Sequence, residues 1–182
     1  MSANISKYAD HLTAHTCLPA AEQRAENLAI LGVKSVLEMC VGPSLRDLEA
    51  VYAKYGITVT GNDIDSRWQD FYPKGKWLIG DARTLAETST FDAVVVAPPL
   101  SKGCSGRRLD ALSLEEVTPS YYDFLDLPSK IAVYVLPGKT LSIRADRVQL
   151  HRFLKAVSDA GRNPEAIPLR NKVVKYVDVY AL

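Results

Sequence analysis

Two runs in this chain, AVVVA within Phe91–Ala97 and IAVYVL at Ile131–Leu136, are continuously apolar. A strand with one wet face alternates apolar and polar residues, whereas a strand covered on both faces reads as an unbroken apolar run. Further strand-like runs occur at Ser35–Val41 (SVLEMCV), Ile57–Asp63 (ITVTGND) and Trp77–Asp81 (WLIGD), with amphipathic helical stretches between them. Strands alternating with helices mean a parallel sheet with helices on both faces.

The first crossover helix carries its own start and stop signals. Ser44 is placed to cap it, with Asp47 three residues on; Leu45, Leu48, Val51, Tyr52 and Tyr55 repeat at helical spacing, and Gly56 ends it. A later helix spans Asp146–Ala160, with Leu150, Phe153, Leu154 and Val157 on one face and Gly161 behind it. A strand is expected near Ala166–Leu169. Another follows at Val173–Tyr180, whose polar interruptions suit an exposed strand near the sheet edge. Residues 1–32 read as a loose tail and a leading helix, Pro19–Leu31. The expectation is one α/β domain over residues 1–182, with about seven strands and six helices. Its sheet is Rossmann-like and mostly parallel, with helices on both faces and a C-terminal antiparallel strand.

Bulk properties narrow the class. With 182 residues, 47% hydrophobic and 24% charged, the chain can bury an ordinary core. Its formal net charge of +1 gives no global pull toward nucleic acid and leaves only a local basic patch open. Cys17, Cys40 and Cys104 are too widely spaced for a zinc or redox pair, which points to a reducing cytoplasm. No apolar run approaches the ~20 residues that span a bilayer, so no membrane partner is expected.

The chemistry centres on VLEMCVGPSLRDL, where a strand runs into a small-residue turn holding Gly42 and then into a helix. Such a turn lets backbone approach a ligand, and the helix N-terminus presents unpaired N–H groups. Asp63 ends the next strand about 20 residues beyond Gly42, the usual spacing for an acidic partner of ribose hydroxyls. Together they point to a nucleoside-containing ligand at the C-terminal ends of the strands. A nicotinamide dehydrogenase fits less well, because the G-x-G-x-x-G fingerprint is absent. Taken singly, Glu38 also reads as a strand-end carboxylate, Asp63 and Asp81 as turn residues, and Gly42 as a connector.

In order and spacing, VLEMCVGPS, GNDID, GDARTL and FDAVVVAPPL resemble the first four motifs of class I S-adenosylmethionine-dependent methyltransferases. The resemblance is sharp from about residue 33 to 101. It implies S-adenosylmethionine as cofactor, with Glu38 holding its amino group directly or through water and Gly42 making room for the methionine moiety. Asp63 would accept the ribose hydroxyls, Ile64 would pack on adenine, Asp81 would accept the adenine amino group, and the Ala82 N–H would donate nearby. Cys40 stands in the slot of the first glycine, where its side chain would narrow the pocket or change backbone angles. Ser44 takes a third position that is often glycine.

The APPL segment resembles the Pro-Pro motif of amino-directed nucleic-acid methyltransferases, in which a polar residue and a proline carbonyl accept hydrogen bonds from the target amine. Here Ala97 replaces the polar residue and Leu100 the aromatic, while Pro98 and Pro99 keep a carbonyl acceptor. Lys102, Arg107 and Arg108, set among Gly103, Ser105 and Gly106, form a phosphate cradle in one reading and a solvated loop in the other. Asp110 is close enough in sequence to pair with one of the arginines. Tyr121 and Tyr122 are expected to pack a helix on the sheet more than to stack on a base. His11, His15 and Cys17 lack a fourth ligand for zinc. His151 reads as structural or exposed, and Cys104 has no His–Asp pair to make it a nucleophile.

The function expected is methyl transfer to an amino nitrogen of RNA, less readily DNA, with a protein partner supplying further recognition. The alternatives are a small-molecule or protein methyltransferase, and an inactive cofactor-binding or structural module.

Overall fold

The computed structural model describes residues 18–98, 119–137, 144–168 and 176–182. In chain order these form α1 (Leu18–Ile30), β1 (Ser35–Met39), α2 (Leu45–Ala53), β2 (Thr58–Asp63), α3 (Arg67–Phe71), β3 (Trp77–Ile79) and β4 (Ala93–Val96). Then come β5 (Ile131–Pro137), α4 (Arg144–Asp159), β6 (Pro164–Pro168) and β7 (Tyr176–Ala181). Short 3-10 turns lie at Gly42–Ser44, Ala82–Thr84, Ala86–Thr90 and Tyr121–Phe124. Four α-helices therefore stand among the described residues, where about six were expected. No described helix is long and apolar enough to cross a membrane.

All seven strands join one sheet in the order β3-β2-β1-β4-β5-β7-β6. The first five are parallel, and β7 is antiparallel to both β5 and β6. The unbroken apolar runs are explained by cover on both faces. Val36, Val59, Val95 and Val133 pack with Ala21, Ala25 and Leu28 of α1 and with Leu45, Leu48 and Tyr52 of α2. Their strand neighbours Leu37, Val94, Val96 and Tyr134 pack on the other face with Phe153 and Val157 of α4 and with Tyr121 and Phe124. A side-chain period of two divides each strand between two cores. The α/β, Rossmann-like arrangement read from the sequence is the one observed.

Two local expectations are corrected. Ser44 sits at the start of α2 but its side chain makes no capping hydrogen bond, because the chain enters through the Gly42–Ser44 turn with Ser44 already helical, at φ −78° and ψ −13°. A capping residue needs an extended backbone to turn its oxygen back onto the helix. The last strand is not at the edge either: β7 lies between β5 and β6, and Asp178 to Ala181 are buried. Asp178 interrupts the apolar pattern as half of a buried ion pair. Arg24 Nε donates to its Oδ2 at 2.8 Å and Nη2 to Oδ1 at 3.1 Å.

Candidate functional site

In the order β3-β2-β1-β4-β5, chain direction across the sheet reverses between β1 and β4. Open α/β sheets bind ligands beyond the strand C-termini at that switch point. The turn after β1 holds Cys40 and Gly42, and β4 ends at Val96 opposite Met39, delivering Ala97 and Pro98 beside that turn. Asp63 closes β2, hydrogen-bonded alongside β1, and Asp81 lies just past β3. The fold thus gathers Glu38, Cys40, Gly42, Asp63, Ile64, Asp81, Ala82, Ala97 and Pro98 along one end of four adjacent strands. Pro99, Leu100, Lys102, Arg107, Arg108 and Asp110 lie outside the described residues, as do His11, His15, Cys17 and Cys104.

The turn has unusual backbone. Cys40 has φ 57°, and among the described residues no other non-glycine has a positive φ; Gly42 has φ 53°. Left-handed backbone is ordinary for glycine and costly for residues with a Cβ. Cys40 therefore adopts the conformation that the first-glycine slot demands, despite its side chain. Burial, with the charges of Asp63 and Asp81, pushes its thiol up to about 12, against a smaller opposing effect from Arg83. The thiol stays protonated at neutral pH and is no nucleophile. A Cβ at Gly42 would meet no atom within 4 Å, so the glycine faces open space where a ligand could lie against the backbone.

Asp63 joins the turn to β2. Its Oδ2 accepts the Gly42 N–H at 2.9 Å and its Oδ1 the Asp65 N–H at 3.0 Å. Burial raises its pKa against the lowering effect of these backbone bonds. Each oxygen keeps lone-pair capacity for further donors. Ile64, next in sequence, is 74% exposed, an apolar surface available to a planar ring.

Asp81 is differently placed. Its carboxylate caps the Ala82–Thr84 turn by accepting the Arg83 N–H at 3.0 Å, and also accepts Arg83 Nε and Nη2 at 3.0 and 2.6 Å. Those Arg83 bonds hold its pKa down at about 2. Any further donor meets a carboxylate already occupied by Arg83. Ala82 is buried below it.

Glu38 is 3% exposed and faces inward. Its Oε1 accepts the Tyr52 hydroxyl at 2.6 Å and lies 3.9 Å from Arg24 Nη1. Burial is the largest influence on its carboxyl and raises the pKa; Arg24 and the Tyr52 bond work the other way.

Sequence reasoning missed three contributors. Arg24 and Tyr52, from α1 and α2, surround Glu38 and read in sequence as ordinary helix residues. Asn62 amide donates to the carbonyls of Leu78 and Gly80, each at 2.9 Å, which clamps the end of β3 to β2 and so sets Asp81 beside Asp63. Nothing in the local pattern marks these contacts. Tyr121 and Tyr122 pack as expected, with ring centroids 6.2 and 5.4 Å from Phe153 of α4. His151 is exposed. No metal-binding group of three or more His, Cys, Asp or Glu occurs among the described residues.

The sequence matches no protein-family model and no curated protein. Solved structures are similar in fold. The Burkholderia thailandensis 1,6-didemethyltoxoflavin-N1-methyltransferase, solved with 1,6-didemethyltoxoflavin and S-adenosylhomocysteine, superposes with a TM-score of 0.59 at 15% identity, over 97% of this chain and 84% of that one. The methyltransferase domain of bacterial CtHen1-C gives 0.61 at 11% identity, over 91% and 97%. The E. cuniculi Mtq2–Trm112 complex, responsible for methylation of the eRF1 translation termination factor, gives 0.58 at 19% identity, over 90% of each chain. At these identities the likeness is one of fold, and the chain has the fold of class I methyltransferases.

Proposed function

We propose that the chain is an S-adenosylmethionine-dependent methyltransferase whose cofactor lies across the ends of β1, β2 and β3. The observation that carries this reading is the hydrogen bond from the Gly42 N–H to Asp63, which ties the left-handed turn at the switch point to the carboxylate that ends the next strand. A turn whose first residue is held left-handed even as cysteine, opening on space at Gly42, fits a ligand that approaches backbone closely. The cofactor supplies an electrophilic methyl group. The chain's residues bind and orient: Asp63 accepts ribose hydroxyls, Ile64 covers one face of the base, and Gly42 leaves room for the amino-acid end. Ala97 and Pro98 stand beside the turn where a methyl acceptor would enter, and a proline carbonyl is the acceptor that remains to aim an amine.

The finer assignment, an amino nitrogen of RNA held through Lys102, Arg107 and Arg108, rests on the sequence. The structurally similar enzymes serve a small molecule and a protein as well, and a small-molecule substrate is the second reading, in keeping with the net charge of +1. RNA binding that weakens with salt and with Arg107→Ala/Arg108→Ala supports the first. Salt-insensitive turnover of a small substrate supports the second.

Calorimetric titration of S-adenosylhomocysteine tests the cofactor site. Micromolar binding, about −8 kcal/mol, is expected for the wild type, and at least about tenfold weaker binding for Asp63→Ala. Absence of binding to folded wild type refutes the assignment.

A further inference from the structure

The loops that follow β2 and β3 carry the same Asp-x-Arg hook. In the first, Asp65 Oδ1 accepts the Arg67 N–H at 3.0 Å and its guanidinium Nε at 2.8 Å. In the second, Asp81 Oδ1 accepts the Arg83 N–H and Nε, each at 3.0 Å. Asp81 Oδ2 takes Nη2 at 2.6 Å and the far branch of the Nε bond at 3.2 Å. Oδ1 is filled by its two donors, whereas Oδ2 keeps a lone-pair direction for one more. Arg83 Nη1 makes no hydrogen bond among the described residues, and a guanidinium has five N–H donors to place. One partly exposed ion pair therefore offers an acceptor and a donor side by side.

Its position gives that pair a ligand to read. β1, β2 and β3 are consecutive in the sheet, with neighbouring strands about 4.8 Å apart. A cofactor with its amino-acid end against Gly42 and its sugar at Asp63 continues in the same direction, over the end of β3. Asn62 holds that end to β2 through the carbonyls of Leu78 and Gly80. The base, with one face on Ile64, thus brings an edge to Asp81 and Arg83. The charges of Asp63, Asp81 and Arg83 all act on the Cys40 thiol, as groups gathered round one turn must.

We propose that Arg83 is a specificity-determining residue: paired with Asp81, it makes the base end of the site accept a 6-oxo purine as well as a 6-amino one. This rests on the cofactor reading above. A bare carboxylate only accepts hydrogen bonds, so it favours the amino group of adenine and repels a carbonyl oxygen at the same position. With its charge matched by the guanidinium, Asp81 holds the amino group about as an uncharged acceptor would, and charge-assisted bonds are roughly twice as strong as neutral ones. The Nη1 N–H supplies the donor that a 6-oxo group needs, and Oδ2 accepts from the ring N–H beside that group.

The test is calorimetric titration of S-adenosylhomocysteine and of S-inosylhomocysteine, its 6-oxo counterpart. Wild type should bind the two within about tenfold of each other, the worth of one uncharged hydrogen bond. Arg83→Ala strips the guanidinium from Asp81 but keeps the backbone N–H that caps the turn, so it should fold and widen the gap by at least about fivefold. Arg67→Ala removes the same charge from the neighbouring hook and should leave the gap unchanged. A wild-type gap wider than about tenfold, an Arg83→Ala gap no wider than that of wild type, or equal widening by Arg67→Ala overturns the role of Arg83 and leaves the cofactor site standing. No binding of S-adenosylhomocysteine by folded wild type overturns both.

Discussion

Replacing Cys40 probes the turn with a sign opposite to ordinary core mutagenesis. Trimming a half-buried side chain normally destabilises, at about 0.8 kcal/mol per CH2 removed from a packed site. On that basis Cys40→Gly would be worse than Cys40→Ala. The backbone reverses the order. At φ 57° a Cβ costs about 1–2 kcal/mol. Gly-to-Ala exchange at positive φ destabilises by more than about 0.4–1 kcal/mol, even though glycine has the more flexible unfolded chain. Cys40→Gly should therefore be more stable than Cys40→Ala by about 1 kcal/mol. Against wild type, strain relief and lost packing nearly cancel. Cys40→Val should fall below both, since a β-branched residue tolerates positive φ least. Urea denaturation reads this directly: with m of about 1–3 kcal/mol/M, the Gly and Ala midpoints differ by roughly 0.3–1 M. An alanine variant as stable as the glycine one, with equal m, would refute the claim that the turn is held left-handed at a cost.

Other substitutions test separate parts of the structure. Asp178→Ala takes away both hydrogen bonds that hold Arg24 and leaves Glu38, 3.9 Å off, as its nearest carboxylate, so it should cost up to about 3–5 kcal/mol, seen as a fall in the urea midpoint. A Cβ at Gly61 would lie 2.8 Å from Leu45 Cδ2 and 2.9 Å from Val41 Cγ1, so Gly61→Ala should cost about 1–3 kcal/mol by forcing α2 off the sheet; a neutral result in thermal melting would show that Leu45 yields freely. In Arg83→Ala, the Asp81 carboxyl should climb from about 2 toward the ordinary carboxylate range, as carboxyl NMR titration would reveal. Because that pKa is depressed in the folded state, the wild-type pair contributes stability above the ordinary range and loses it as pH falls toward about 2.

The same accounting gives Glu38 the opposite sign. Its folded pKa is raised, so stability is greatest while it is protonated and declines as pH rises through the folded value. Glu38→Gln should flatten that decline, an outcome that equilibrium unfolding at several pH values would show even without a ligand.

Sequence alone determined the parts of this protein that depend on neighbours along the chain. AVVVA and IAVYVL had to be strands with cover on both faces, because neither run alternates apolar with polar residues. The turn at residues 40–44 and the carboxylate at Asp63 were legible because strand, crossover helix and next strand have nearly fixed lengths in this kind of sheet, which sets the spacing. Tertiary structure decided what those residues do with each other. Arg24 meets Asp178 across 154 positions, and no periodicity links them, so β7 read as an edge strand when its aspartate was half of a buried ion pair. Asp81 matched its motif, yet two positions on stood Arg83, whose side chain claims the carboxylate once the turn closes. Cys40 looked like a departure from glycine, and only the folded backbone showed it in glycine's conformation. Local sequence carries the period of a helix or strand; which buried charges face one another follows from contacts that exist only after the sheet has assembled.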